Sequence, residues 1–288
     1  MVAASRILPR MNPTAFAIVL VAAFLHAFWN ALIKASGDRA ASLGMVALAH
    51  AVFGAVVVTM VPLPSREAWG FIAASTVIHW LYYYLIFHTY RLGDLSLVYP
   101  IARGIAPMLV TLGALATIGE ELPPAGWAGV LAISAGVLLL SWRSVVAGVA
   151  SPSILLALAT GLVIAAYSVV DGMGVRVAGD TLAYVGWLFL LEGVVTLFLV
   201  ATRPLDFVGL KRRTWALGLF GGFCSALAYG LAIYAMSLAP IGLVSALRET
   251  SVIFAAGIGI LWLGERPWRP RAAAAVIVAF GVALIAIA

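Results

Sequence analysis

Leu92-Gly93-Asp94-Leu95-Ser96-Leu97-Val98 is echoed 146 residues later by Leu238-Ala239-Pro240-Ile241-Gly242-Leu243-Val244. Two more stretches repeat in the same order. Lys34-Ala35-Ser36-Gly37-Asp38 resembles Arg176-Val177-Ala178-Gly179-Asp180 at an offset of 142, and Ile118-Gly119-Glu120 resembles Leu263-Gly264-Glu265 at 145. Each match alone is weak. Three in a common order at nearly constant offset divide the chain into two related halves, 1–150 and 151–288.

The residues around these matches are overwhelmingly apolar. Of 288 residues 64% are hydrophobic and 10% charged, with a mean hydropathy of +1.12. A soluble domain carries roughly 25% charged residues, so this chain lacks the polar groups to cover a globule and belongs in a bilayer. The 28 glycines follow no triplet period and Cys224 is the single cysteine, which excludes collagen-like and disulfide-stapled classes. Apolar runs lie near 13–34, 40–62, 67–90, 94–118, 123–142, 152–175, 181–201, 213–237, 241–263 and 268–288. Each approaches the length of about 20 residues that a helix needs to cross a membrane. The runs are continuous rather than alternating, which argues against barrel strands. The first run has no small-residue cleavage site and is expected to stay as a helix.

The expected fold is therefore all-α, an integral membrane protein with ten transmembrane helices in two five-helix repeats. Five is odd, so the second repeat enters the membrane upside down relative to the first, and a pseudo-two-fold axis lies in the membrane plane.

The net charge of +6 does not point to nucleic acid, because the basic residues are scattered through short loops instead of clustering on one face. Sorted by alternate loops, Arg6, Arg10, Arg66 and Arg176 fall on the side of the N-terminus. The other side takes eleven, including Lys34, Arg91, Arg143 and the run Lys211-Arg212-Arg213. The positive-inside rule alone then puts both termini outside the cytoplasm.

Several stretches resemble the EamA-type transporters of the drug/metabolite transporter superfamily. They are Tyr90-Arg91-Leu92-Gly93-Asp94-Leu95-Ser96-Leu97-Val98-Tyr99-Pro100-Ile101-Ala102-Arg103 with Gly119-Glu120, and Ser237-Leu238-Ala239-Pro240-Ile241-Gly242-Leu243-Val244-Ser245-Ala246-Leu247-Arg248-Glu249 with Leu263-Gly264-Glu265-Arg266. Within that superfamily the size and the aromatic third span look most like the bacterial YddG-type exporters of aromatic and other amino acids. The resemblance implies a ten-helix inverted-repeat exporter in the inner membrane. It also implies cytoplasmic termini, against the charge count.

Ionisable groups in mid-span are costly and face a bundle interior or a watery space. Arg103, Asp171, Glu192, Arg248 and Glu249 qualify, with Lys34 at a span end. Arg103 and Glu249 are equivalents at offset 146 with opposite signs, so they can pair across the axis as a structural link, or serve carboxylate recognition and proton carriage. Asp171, equivalent to Trp29 at offset 142, can meet an ammonium group or sit as a hydrogen-bonded helix-end residue beside Gly172 and Gly174.

In the third span His79, Tyr82, Tyr83 and Ile86 follow the i, i+3, i+4, i+7 pattern of one helical face. Tyr83 matches Tyr229, and His79 matches Ser225, both at offset 146. Aromatic rings with polar tips suit a space that accepts an apolar side chain and hydrogen-bonds a zwitterion, although Tyr and Trp also form interfacial belts. Tyr99 and Tyr167 join this group, as do Trp29 and Asn30 of the first span, where Asn30 can bond substrate or another helix. Tyr84 and His88 are assigned to packing or interface, and His26 and Cys224 to inert burial.

Pro100 and Pro107 mark the fourth span as bent or flexing. Gly218, Gly221, Gly222, Gly257 and Gly259 read as close helix approaches. No metal-ligand spacing, phosphate loop or nucleophile motif occurs, so no cofactor and no enzymatic reaction are expected.

The function expected is a secondary transporter that exports amino acids through a central cavity between the repeats, in a monomer or dimer within the lipid bilayer. A carrier of another small metabolite or cationic drug is the alternative. An intramembrane lipid-modifying enzyme is more remote, since clustered catalytic Asp or His at a membrane face is missing.

Overall fold

The computed structural model describes residues 10–36, 39–92, 95–142, 151–202, 209–261 and 269–288. Gly37-Asp38, Gly93-Asp94 and Leu263-Gly264-Glu265 of the repeat matches, Arg6, Arg143 and Arg266, and the boundary near residue 150 lie outside them.

The described residues form helices and no strands. The first five are α1 (Pro13–Ser36), α2 (Arg39–Val58), α3 (Ala68–Leu92), α4 (Leu95–Ile118) and α5 (Pro124–Leu139). Then follow α6 (Ser151–Val177), α7 (Thr181–Thr202), α8 (Arg212–Met236), α9 (Ile241–Arg248), α10 (Ser251–Leu261) and α11 (Arg269–Ala286). Prolines and glycines punctuate them. Pro124 opens α5, where its missing N–H costs nothing. Gly119 just beyond α4 has φ 66° and Gly179 just beyond α6 has φ 78°, left-handed positions in which a side chain is strained.

Seven segments are long and apolar enough to cross a membrane: Pro13–Lys34, Tyr99–Ile118, Pro152–Val177, Thr181–Phe198, Arg212–Met236, Ile241–Leu261 and Arg269–Ala286. The apolar parts of α2 (Gly44–Val58) and α5 (Pro124–Leu139) are shorter. α3 has 25 residues, but His79, Tyr82, Tyr83, Tyr84 and His88 make it more polar than its neighbours. The chain is thus a multi-pass helical membrane protein.

The ninth expected span is not one helix. It breaks at Glu249-Thr250 into α9 and α10. Glu249 and Thr250 turn tightly, their N–H groups donating to the carbonyls of Ala246 and Leu247 at 3.0 Å each, while the Thr250 hydroxyl caps the Leu247 carbonyl at 2.8 Å. By contrast α4 runs through both Pro100 and Pro107 without a break. The Thr111 hydroxyl donates to the Pro107 carbonyl at 2.8 Å.

α1 lies along α8, α2 along α7 and α8, α3 and α4 along α6, and α5 along α11. Small residues set the approaches. A Cβ on Gly222 would meet Ala49 Cβ at 2.6 Å, and one on Gly281 would meet the Gly129 carbonyl at 2.8 Å. Gly257 makes no such approach: nothing lies within 4 Å of the place its Cβ would take, so its reading as a packing glycine is corrected.

Because successive helices reverse, the turns at 59–67, 119–123, 178–180 and 237–240 share one end of the bundle. Polar bonds tie them together. Arg176 Nη2 reaches Glu120 Oε2 at 2.9 Å and the Ala239 carbonyl at 3.0 Å, and its Nε donates to the Met236 carbonyl at 2.9 Å. Gly242 N–H at the start of α9 donates to Glu120 Oε1 at 3.3 Å. Ser65 N–H donates to the Ala178 carbonyl at 3.0 Å and its hydroxyl to the Val177 carbonyl at 2.7 Å, while Asn12 Nδ2 donates to the Leu238 carbonyl at 2.9 Å.

Candidate functional site

The polar residues of mid-span converge at the level of the α9–α10 break. Arg103 of α4 and Glu249 at the break form a two-contact ion pair, Nε to Oε2 at 3.1 Å and Nη2 to Oε1 at 2.8 Å, with both side chains buried. Such a pair offsets much of the cost of two charges away from water. The residues are 146 apart, the offset of the sequence repeat.

Arg248 is placed differently. It ends α9 and is 9% exposed, yet it forms no ion pair among the described residues. Its guanidinium lies over the Tyr229 ring, 5.0 Å from the centroid. A cation over an aromatic face is held by the ring quadrupole, but that leaves its N–H donors without a carboxylate.

Tyr229 links Arg248 to Asp171. The Tyr229 hydroxyl donates to Asp171 Oδ2, and the Tyr184 hydroxyl donates to Oδ1 at 2.9 Å. Asp171 is 0% exposed with an acceptor position on each oxygen already used. The sequence left it between a site for an ammonium group and a hydrogen-bonded helix-end residue; in the structure it anchors two tyrosines.

His79 sits among the aromatic residues. Its ring stacks on Tyr167 at 4.2 Å and meets Tyr229 edge-on at 5.5 Å. Tyr82 packs against both Tyr83 and Tyr167. Tyr82 and Tyr83 are half-buried, whereas Tyr84 is 59% exposed and contacts His88 in ring-to-ring fashion at 4.4 Å. The helical spacing therefore separated the inward from the outward face of α3.

On the other side of His79 stands Glu192 of α7, 1% exposed. His50 Nδ1 is 3.0 Å from Glu192 Oε2, and His50 Nε2 is 3.2 Å from the Ser225 hydroxyl. His79 Nε2 faces Glu192 Oε1 at 3.7 Å. Sequence reasoning missed His50, although a signal existed: it lies 142 residues before Glu192, the offset of the match between Lys34 and Arg176.

The first span contributes less directly than expected. Asn30 Nδ2 is occupied by the carbonyl of His26 one turn back, at 2.7 Å. Trp29 packs edge-on against His26 at 5.4 Å, and its buried Nε1 has no acceptor among the described residues. His26, expected to be buried and inert, is half-buried, and its Nε2 lies 3.0 Å from the Tyr99 hydroxyl. Tyr99 in turn lies under Arg103, 6.0 Å from the ring centroid. Cys224 is buried and free. Among the described residues no group of His, Cys, Asp and Glu is placed to hold a metal.

Comparison with known proteins agrees with this architecture. Residues 151–287 match the model of the EamA-like transporter family. A protein of known crystal structure superposes with a TM-score of 0.80 at 21% identity, over 95% of this chain and 98% of that one, a likeness of fold. None of the curated protein sequences matches. Fold and site together define a multi-pass helical membrane protein with a charged and aromatic centre. The family match lies in the second half of the chain, residues 151–287, which is similar to the EamA-like transporter family.

Proposed function

We propose that the chain is a secondary transporter that exports amino acids, aromatic ones included, across the bacterial inner membrane by alternating access, in the manner of the YddG-type exporters. The observation that carries this reading is Arg248: a guanidinium 9% exposed, over Tyr229, without an ion-pair partner among the described residues. A buried charge of that kind is costly until an anion joins it. The substrate carboxylate supplies that anion. Tyr82, Tyr83, Tyr99, Tyr167 and Tyr229, with His79 and Trp29, line the place for an apolar or aromatic side chain. Arg103 and Glu249 hold α4 to the broken span, and Asp171 fixes the Tyr229 ring on which Arg248 rests.

The ten apolar runs form, in this reading, two inverted five-helix repeats, 1–150 and 151–288. Three features support it. His50–Glu192 and Arg103–Glu249 join residues at offsets of 142 and 146, as expected for equivalents meeting on a two-fold axis. Gly193 and Ala51, also 142 apart, approach each other closely. The pairing of α1 with α8 is mirrored by that of α3 with α6. One protomer then supplies both halves of the site, and the work done is transport rather than catalysis.

The test is counterflow of labelled phenylalanine in proteoliposomes against a panel of unlabelled competitors. Exchange inhibited by amino acids and much more weakly by their amides is expected. No exchange for any amino acid overturns the substrate class, and inhibition by cationic drugs or other metabolites alone reassigns it.

A further inference from the structure

His79 and Glu192 face each other in a way that leaves room for one proton. The His79 Nδ1 lies 2.9 Å from the Ser75 carbonyl one turn earlier in α3. A carbonyl only accepts, so Nδ1 carries a hydrogen, and the Ser75 hydroxyl at 3.1 Å shares the same ring atom. A neutral imidazole with Nδ1–H has its lone pair on Nε2. That lone pair points at Glu192 Oε1, 3.7 Å away, an oxygen that is buried and has no hydrogen-bond partner among the described residues. Two acceptors therefore confront each other across 3.7 Å.

The other carboxylate oxygen is already satisfied. His50 Nδ1 donates to Oε2 and its Nε2 accepts from Ser225, so a neutral His50 completes its bonds without an added proton. The remaining neighbours are Tyr83 on the same helix, Tyr167 and Asp171 from α6, Tyr184 from α7, Tyr229 from α8, and beyond them Arg103 of α4 and Arg248 of α9. Of these, the Tyr83 hydroxyl also reaches the Glu192 carboxylate, as a donor.

We propose that His79 Nε2 and Glu192 Oε1 together bind one exchangeable proton, and that its movement is coupled to transport. This rests on the transport reading above. With the proton on Nε2 the pair is imidazolium and carboxylate, and the buried negative charge is neutralised. Without it the carboxylate needs another cation, which the ammonium group of a substrate lodged against Tyr82, Tyr83 and Tyr167 supplies. Proton and ammonium thus exclude one another at Glu192. One proton enters as one zwitterion leaves, and each cycle moves one net positive charge inward.

Two measurements test this. In proteoliposomes holding phenylalanine and a pH-sensitive dye, outward substrate flow is expected to acidify the lumen side that loses substrate, and Glu192→Gln is expected to abolish that signal. Robust net phenylalanine efflux with no proton movement overturns the coupling, and a proton signal that survives Glu192→Gln overturns the assignment to this pair. Absence of any amino-acid counterflow would instead sink the substrate reading and leave the proton site to the second measurement. That is nitrogen NMR of 15N-histidine-labelled protein, with His79 assigned through His79→Gln. The expected spectrum shows Nδ1–H at every pH and protonation at Nε2, with proton binding about tenfold or more weaker in Glu192→Gln. A wild-type His79 that keeps its hydrogen on Nε2 throughout overturns the proposal even if the variant does not fold.

Discussion

His50 and Glu192 stand 142 residues apart in the chain and 3.0 Å apart in space, both buried, at the crossing of α2 and α7. Removing His50 leaves a carboxylate away from water without its donor. His50→Ala is therefore expected to destabilise the protein by about 1.5–3 kcal/mol, the range for a lost hydrogen bond to a buried charged group. Thermal unfolding of detergent-solubilised protein reads it, and a wild-type midpoint for His50→Ala would show the bond to be idle.

Arg103 and Glu249 should behave as a unit. Either single alanine replacement leaves one charge buried and is expected to cost about 3–5 kcal/mol. The double change Arg103→Met with Glu249→Leu removes both charges and is expected to unfold closer to wild type than either single does. Additive losses in that double variant would mean the pair does not hold α4 to the broken span.

Arg248 is assigned to the carboxylate of the substrate. Arg248→Ala is expected to raise the concentration of phenylalanine needed for half-maximal counterflow roughly 10-fold to 100-fold, the equivalent of one hydrogen bond to a charged group at about 1.5–3 kcal/mol. Competition by phenylalaninamide, which has no carboxylate, should change little. Equal loss for both compounds would place Arg248 in the structure rather than at the ligand.

At the end of the bundle closed by Arg176 and Glu120, Ser65 N–H bonds the Ala178 carbonyl at 3.0 Å. If that end opens during the cycle, cysteines at Ser65 and Ala178 joined by a short crosslinker should stop counterflow, and cleaving the linker should restore it. Full activity in the crosslinked state would show that these turns never part.

Gly281 and Gly129 let α11 and α5 touch through backbone. A methyl group on Gly281 would lie 2.7 Å from Ile133 Cγ1 and 2.8 Å from the Gly129 carbonyl. Gly281→Ala is expected to cost about 1–3 kcal/mol by overpacking. Gly257→Ala, with open space around it, should be neutral, and the difference in midpoint between the two variants checks both.

How much of this was legible in the sequence varies by residue. The Arg103–Glu249 pair was readable, because both are charges in apolar runs and the repeat offset ties them. His50 was not found, since a lone histidine in an apolar run carries no sign of its own and only its offset from Glu192 marks it. The tyrosine partners of Asp171 were also hidden: Tyr184 lies on the following helix, and a spacing of 13 across a turn has no period to betray it. The break in the ninth span lacks the usual glycine or proline. Its trace is Arg248-Glu249-Thr250-Ser251, four polar residues that let the backbone turn by lending it side-chain partners. On α3 one helical period sorts His79, Tyr82 and Tyr83, which are buried or half-buried, from the exposed Tyr84.

The pairing of unlike residues across the proposed axis limits how the protein can be put together. Two copies of residues 1–150 arranged around that axis would set Arg103 against Arg103, and two copies of 151–288 would set Glu249 against Glu249 and Glu192 against Glu192. Like charges in contact without water repel strongly. Neither half can form a working dimer with itself, so the two must be made together or supplied as complements, and splitting the gene between them should yield function only when both pieces are expressed.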